Sequence, residues 1–176
     1  FPGEGVSRST VERALATYER TIVPAKASFD RWVAGDEAAI PESAKRGFDL
    51  FTGRAQCNEC HSSWRFTDDS FHDIGTGGDK DVGRGRLFAN SPSLQHAFKV
   101  PTLRDVAKRA PYMHDGSLPD LPAVIELYNR GGVERPSRDP HIRPLALTAQ
   151  ERADLLAFLQ TLTGEAARDP APVTPR

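Results

Sequence analysis

The chain has 176 residues, a net charge of −1 and 38% hydrophobic residues, with nine Phe among its aromatics. That size fits one domain with a short tail and allows a real core. The near-zero charge gives no footing for nucleic acid or an anionic membrane surface, and no apolar run reaches the roughly eighteen residues of a membrane helix.

In chain order, Phe1-Pro2-Gly3-Glu4-Gly5 lacks the basic start and apolar stretch of a signal peptide. Val11, Leu15, Tyr18 and Ile22 recur at helical spacing, with Ser9 or Thr10 as N-cap, and this helix is expected to stop before Pro24. A second helix is expected from Pro41-Glu42-Ser43 through Ala44, Gly47, Phe48 and Phe51. Residues 62–98 show little periodicity and many Gly, Asp and Ser, which predicts a long ordered loop of the kind that serves function or covers a cofactor. Val100 to Lys108 reads as a short helix, and Leu121 to Asn129 as a better one closed by Gly131-Gly132. Thr148-Ala149-Gln150-Glu151 is a capping box for a last helix carrying Leu155, Leu156, Phe158, Leu159 and Leu162. The Pro-rich end gives the division 1–164 for the domain and 165–176 for a flexible tail. No strand pattern of any length is visible, so the fold class is all-α.

Cys57-Asn58-Glu59-Cys60-His61 is a CxxCH, the attachment signature of a c-type haem. Two thiols one turn apart add across the two vinyl groups as thioethers, and His61 is then held beneath the iron. These are the chain's 2 cysteines, so both are used. A thioredoxin-like pair needs no histidine, and a zinc site needs ligands from a second Cys/His pair that is absent. One covalent haem c is therefore expected, inside a cytochrome c-like helical domain wrapped around it. Covalent attachment implies export, so the expected compartment is the periplasm and the first residue is read as a processed or truncated end.

The other face of the iron decides the chemistry. Methionine raises the potential, histidine lowers it, tyrosine stabilises ferric iron, and an open face admits peroxide. On the residues alone Met113, the chain's one methionine, is the first candidate, with gap-filling against the porphyrin as its alternative. Trp64 reads as a packed loop side chain or an electron relay. His96 and His141 have no motif around them and are expected to face solvent. Gly75 to Gly85 follows no strand and opens no helix, so it is no phosphate loop, and Asp68, Asp69, Asp79 and Asp81 fit no EF-hand.

Several segments resemble the C-terminal haem domain of the bacterial dihaem cytochrome c peroxidase and MauG family. Before the haem motif they are residues 14–21, Phe29-Asp30-Arg31 and Gly47-Phe48-Asp49-Leu50-Phe51. After it come Phe66-Thr67-Asp68-Asp69, Phe71-His72-Asp73-Ile74-Gly75 and residues 98–104. Pro111-Tyr112-Met113-His114-Asp115-Gly116 and Tyr128-Asn129-Arg130-Gly131-Gly132 complete the set. The resemblance covers roughly residues 8 to 164 in order. It implies that the distal ligand lies in the helix after the His-Asp-Gly turn, which places Tyr128 there, with Met113 as the alternative. It also implies that His114 hydrogen-bonds near the haem edge, with catalysis as the alternative, and that His72 has a structural or propionate role. Arg104, in the matching segment, is expected to pair with a haem propionate, with a surface salt bridge as the alternative.

The resemblance further implies a partner domain or chain bearing a second haem and a redox partner protein. Calcium would sit only at the junction of the two haem domains, on carbonyls matching Arg109 and Pro111. The expected function is electron transfer, relaying or storing oxidising equivalents for the partner haem of a peroxidase or MauG-like oxidoreductase. The alternatives are a peroxide-reacting monohaem enzyme with an open iron face and a simple His/Met carrier cytochrome.

Overall fold

The computed structural model describes residues 3–164, so the expected tail at 165–176 lies outside the described residues. They form the α-helices α1 (Arg8–Glu19), α2 (Ser28–Val33), α3 (Glu42–Thr52), α4 (Leu121–Arg130) and α5 (Ala149–Thr161). Two two-residue strands, β1 (Phe71–His72) and β2 (Phe98–Lys99), pair antiparallel in the register Phe71↔Lys99 and His72↔Phe98. The architecture is the expected helical one, with long ordered connections pinned by a minimal ladder too short to leave a periodic signal.

The helix ends follow local chemistry. In α1 the cap is Ser7, two or three residues earlier than expected, because its Oγ accepts from Thr10 N–H at 3.2 Å while Thr10 Oγ1 accepts from Ser7 N–H at 2.9 Å. Asp120 Oδ1 accepts from Ala123 N–H at 2.8 Å to start α4, and Gly131 ends it in the left-handed region at φ 84. Thr148 and Glu151 form the expected capping box of α5. Helix α2 escaped the sequence reading because six residues show no full period. It is started instead by Asp30, whose carboxylate accepts from Ala27 N–H at 2.8 Å.

The helix expected over Val100 to Lys108 is reduced to a 3-10 turn at Val106–Lys108. Tertiary hydrogen bonds hold the segment before it extended: Thr67 Oγ1 donates to Val100 O at 2.7 Å and Thr102 Oγ1 to Arg65 O at 2.5 Å. Asp105, at φ 57, then breaks any helical continuation.

The core sits between α3 and α5, with α4 packed on α5. Phe29, Phe48, Phe51, Phe66 and Phe158 form one aromatic cluster, whose tightest pair, Phe51 and Phe158, has centroids 5.0 Å apart. Tilted and edge-on pairs like these gain about 0.5–1.5 kcal/mol beyond area burial. Phe158 is fully buried. Gly47 makes the helix crossing possible, because a Cβ there would lie 2.0 Å from Asp154 O and 2.8 Å from Phe158 Cβ. Beside it, Arg46 forks onto the Asp154 carboxylate at 2.8 and 2.9 Å.

Gly47→Ala is expected to force α3 and α5 apart, at a cost of about 2–3 kcal/mol. A drop in the denaturant midpoint of the holoprotein checks it, and an unchanged midpoint would show that the crossing is looser than drawn.

Candidate haem site

The haem motif follows directly from α3. Gln56 turns the chain at φ 54, and Cys57–Glu59 form a 3-10 turn in which His61 N–H donates to Cys57 O at 2.9 Å. That turn puts the two sulfurs side by side, half-buried and unbridged. Burial pushes the Cys57 thiol up to about 12. Burial also pushes Cys60 up to about 11, with the carboxylates of Asp139, Asp68 and Glu59 adding to it. Thiols held protonated by burial differ from the low-pKa thiol that opens thioredoxin-type exchange.

His61 is oriented from behind. Its Nδ1 lies 2.9 Å from Phe66 O, and a carbonyl only accepts, so Nδ1 carries the proton and Nε2 keeps its lone pair. Phe66 aims that carbonyl from the left-handed region at φ 54, within a turn where Ser63 (φ 63) and Asp69 (φ 60) do the same. The Phe66 ring meanwhile stays in the core. Burial lowers the His61 pKa, against the opposing pull of the Phe66 carbonyl, so the ring is neutral and able to ligate.

Tyr128 comes from α4, whose C-terminus is fixed by the Gly131-Gly132 turn. A Cβ at Gly131 would lie 2.6 Å from Pro144 N, and one at Gly132 would lie 2.4 Å from Ile74 O. Asn129 ties the next segment down, its Oδ1 accepting from Leu147 N–H at 2.8 Å. The Tyr128 hydroxyl is pushed well above the ordinary tyrosine range, first by burial and then by the charges that Cys57 and Cys60 would carry. Tyr128, half-buried by accessible surface, thus stands close enough to the two attachment thiols for their charges to reach its hydroxyl, which makes no side-chain hydrogen bond among the described residues. A buried amide oxygen, Asn58 Oδ1, is also unpartnered inside the motif. Two adjacent thiols, a neutral imidazole fixed through Nδ1 and a nearby phenol fit a c-type haem.

The other expected site residues are placed differently. Met113 lies in the turn after the cis Ala110–Pro111 bond, at φ 71. His114 stacks on Phe98 with centroids 3.6 Å apart, and its Nε2 lies 2.6 Å from Asp81 Oδ2, so both its face and its ring nitrogen are engaged. Arg104, the expected propionate partner, is buried and engaged internally. Its Nη1 donates to Asp30 Oδ2 at 2.9 Å, its Nη2 lies 2.8 Å from Asp30 Oδ1, and its Nε donates to Trp64 O at 2.7 Å. Neither the propionate pairing nor the surface salt bridge expected for Arg104 is what the structure draws: burial turns the guanidinium inward onto Asp30 and the Trp64 carbonyl. Trp64 itself is 68% exposed, unlike the packed side chain expected. His96 is half-buried with Nδ1 held by Asp81 O at 2.9 Å, so it does not face solvent freely, whereas His141 is exposed.

Two polar networks close the site and were not legible in the sequence. His72 Nδ1 meets Asp139 Oδ2 at 2.6 Å, with Ser70 Oγ 2.6 Å from Nε2, beside Cys60. Asp73, wholly buried, is forked by Arg135 at 2.8 and 3.0 Å and receives Ser137 Oγ at 2.7 Å. Their partners lie 62 to 67 positions apart, and no short motif records such a pairing.

Comparison with known proteins adds independent support. The family model described as Cytochrome c matches residues 44–163. The methylamine utilization protein MauG of Methylorubrum extorquens is 50% identical, over 98% of this chain and 49% of that protein. Cytochrome-c peroxidase IdrP1 of Denitromonas iodatirespirans is 34% identical, over 85% of this chain and 48% of its own length. A crystal structure of a MauG-like protein associated with microbial copper homeostasis superposes with a TM-score of 0.81 at 31% identity, over 94% of this chain and 57% of that one. The chain thus spans about half the length of the curated relatives it matches.

The Asp30–Arg104 pair carries a pH signature. Burial works against ionised Asp30, but the Arg104 hydrogen bond, the Ala27 N–H and the nearby cations outweigh it and hold the carboxyl below its ordinary value. A depressed folded pKa means that stability is present above the unfolded Asp value of about 3.9 and is lost as pH falls through the folded value. Asp30→Asn is expected to lower stability at pH 7 by about 3 kcal/mol, because Arg104 stays buried and unpaired, and to lose less of what remains on acidification. Denaturant midpoints at neutral pH and below about pH 4 check this, and parallel losses in both proteins would reject it.

Proposed function

The chain belongs to the cytochrome c family, as a haem domain of the MauG and cytochrome c peroxidase kind, and on that premise we propose that it is the electron-transfer half of a dihaem oxidoreductase. It carries one covalent haem on Cys57 and Cys60, with His61 as proximal ligand and Tyr128 as distal ligand. The observation that carries this reading is the Tyr128 hydroxyl standing within reach of the charges of the two attachment thiols. When bound, a ferric haem supplies positive charge that favours a phenolate and a reversible one-electron couple.

Each residue then has a definite task. Phe66 O fixes the His61 tautomer and presents Nε2. The Gly131-Gly132 turn and Asn129 fix where α4 ends and so where Tyr128 stands. A tyrosine that fills the distal face excludes water and peroxide from it, which suits relay or storage of oxidising equivalents better than peroxide cleavage. His114, bound to Asp81 and stacked on Phe98, is held as a structural residue rather than a free acid or base. The partner that receives the equivalents is a second haem-bearing domain, with a separate redox protein as electron donor and the periplasm as compartment. Calcium, bound by carbonyls around Arg109 and Pro111, belongs to the junction between the two domains.

Ligand assignment is tested on the holoprotein by ferric optical and EPR spectra with cyanide titration. Tyr128→Phe is expected to change both spectra and to tighten cyanide binding at least tenfold, whereas Met113→Leu leaves them as in the native chain. A methionine-sulfur band at the red end of the native spectrum, lost in Met113→Leu, would overturn the tyrosine assignment. Tight cyanide binding and rapid peroxide reaction by the native chain would favour an open-face enzyme.

A further inference from the structure

His72 is held on both sides by groups placed to accept its protons. Its Nδ1 lies 2.6 Å from Asp139 Oδ2, and an ionised carboxylate only accepts. Its Nε2 lies 2.6 Å from Ser70 Oγ and 3.4 Å from Asp68 Oδ2. Ser70 has one hydroxyl proton and donates it to Asp68 Oδ2 at 2.5 Å. Toward His72 the Ser70 oxygen is then an acceptor, so this arrangement calls for a proton on both ring nitrogens. The neutral ring needs one change, in which Ser70 turns its proton from Asp68 to Nε2. The two states differ by one proton and one hydroxyl rotation.

The surroundings let that proton come and go. Asp139 also receives His141, through Nδ1 at 2.9 Å and the backbone N–H at 2.9 Å, and the His141 side chain is 47% exposed. A cavity of about 480 Å³, lined by Phe71, Leu94 and Ser137, reaches both His72 and Asp139. Burial works against ionised Asp139, but the bonds from His141 and His72 outweigh it and hold the carboxyl below its ordinary value. Asp68 is held down in the same way, against burial, by the Ser70 hydroxyl and N–H and by His72. Other charges near the ring are engaged elsewhere. Arg135 forks Asp73, Arg138 donates to Gly131 O, and Lys99 on β2 binds Asp69. Phe98, opposite His72 in the strand pair, carries His114 with its partner Asp81. On the haem side, ligand atoms of His72, Asp68 and Cys60 lie within 4.8 Å of one another, Glu59 adds a carboxylate near Cys60, and a charge on His72 reaches His61.

A haem joined to Cys60 has its edge beside this ring. Adding an electron to the haem favours a positive charge nearby, and the effect is strong at short range in a partly buried site. We propose that His72, seated between Asp139 and the Ser70–Asp68 pair, takes up a proton when the haem is reduced and releases it when the haem is oxidised. The proposal rests on the reading of this chain as a haem-bearing electron-transfer domain. One electron enters the ferric haem from a one-electron redox protein, and up to one proton enters from water by way of His141 and the cavity. Oxidation returns both. Coupling of this kind limits the change in local charge as equivalents pass through the domain.

The test is redox potentiometry of the holoprotein from pH 5 to 8, the range in which histidine titrates, with the protons taken up on reduction counted by an indicator dye. The native potential is expected to fall as pH rises, because the proton that accompanies the electron becomes scarcer. His72→Gln is expected to keep the native haem spectrum and to cut proton uptake per electron at least twofold. The same loss is expected when His72→Gln is added to Tyr128→Phe, where the distal phenol contributes nothing. Asp68→Asn, at an exposed position, is expected to keep the coupling but move its midpoint to lower pH, since the imidazolium loses a facing carboxylate. A native potential independent of pH, or an uptake unchanged in His72→Gln, overturns the proposal and leaves the haem reading intact. Should His72→Gln fail to bind haem, Asp68→Asn decides, and a midpoint that stays in place overturns the proposal. A native chain that takes up no haem overturns the underlying reading, and the proposal with it.

Discussion

At Gly47 the backbone of α3 comes so close to α5 that no side chain fits between them, since a Cβ would lie 2.0 Å from Asp154 O. Much of the domain depends on this approach. It seats Phe158 under Phe51 and Phe48, and Phe51 lies 6.5 Å from the His61 ring. The same helix, α3, ends a few residues before Cys57, so its position sets where the attachment turn emerges. Because a packed interior transmits displacement rather than absorbing it, the geometry of the thiols and the imidazole is inherited from a helix crossing on the far side of the aromatic cluster.

The long connections around the site have little regular structure, so their backbone must be ordered by other means. Fixing a residue costs about 1–2 kcal/mol of conformational entropy, and two interior ion pairs help to offset it. Asp30 and Arg104 tie α2 to the extended segment before α4, and Asp73 and Arg135 tie the β1 loop to the turn after α4. Such pairs add little net stability when intact, yet leave an uncompensated buried charge when one partner is removed. Their main effect is to specify one loop arrangement. That effect is useful beside a redox centre, where a ligand set that stays fixed through oxidation and reduction keeps the cost of electron transfer low.

The site also explains why family resemblance and plain chemistry point to different distal ligands. By composition the single methionine is the natural candidate, and Met113 sits in a turn well downstream of the haem motif. Tyr128 looks unremarkable in a linear reading, a helix-end aromatic before two glycines. Only the fold brings the half-buried Tyr128 close enough to Cys57 and Cys60 for their charges to bear on its hydroxyl. A phenol placed beside both attachment thiols is positioned to reach the iron of a haem joined to them, which is the physical content of the ligand proposal.

Sequence alone determined the cofactor chemistry and the strongest helices. CxxCH needs only local spacing, the Thr148 capping box and the Asp120–Gly131 boundaries need only neighbouring residues, and the helical period of Leu155, Phe158 and Leu162 marks a core face without further context. Tertiary structure decided the rest. Thr67 and Arg65 hold Val100 and Thr102 extended where local propensity suggested a helix, and Asp30 makes Arg104 an internal strut where sequence suggested a propionate partner. The α1 stripe of Val11, Leu15 and Tyr18 reads in sequence as another core face and in the fold as an exposed one. The difference is physical: caps and periods are set by residues a turn apart, whereas an ion pair, a ligand position or a covered face depends on groups that only the folded chain brings together.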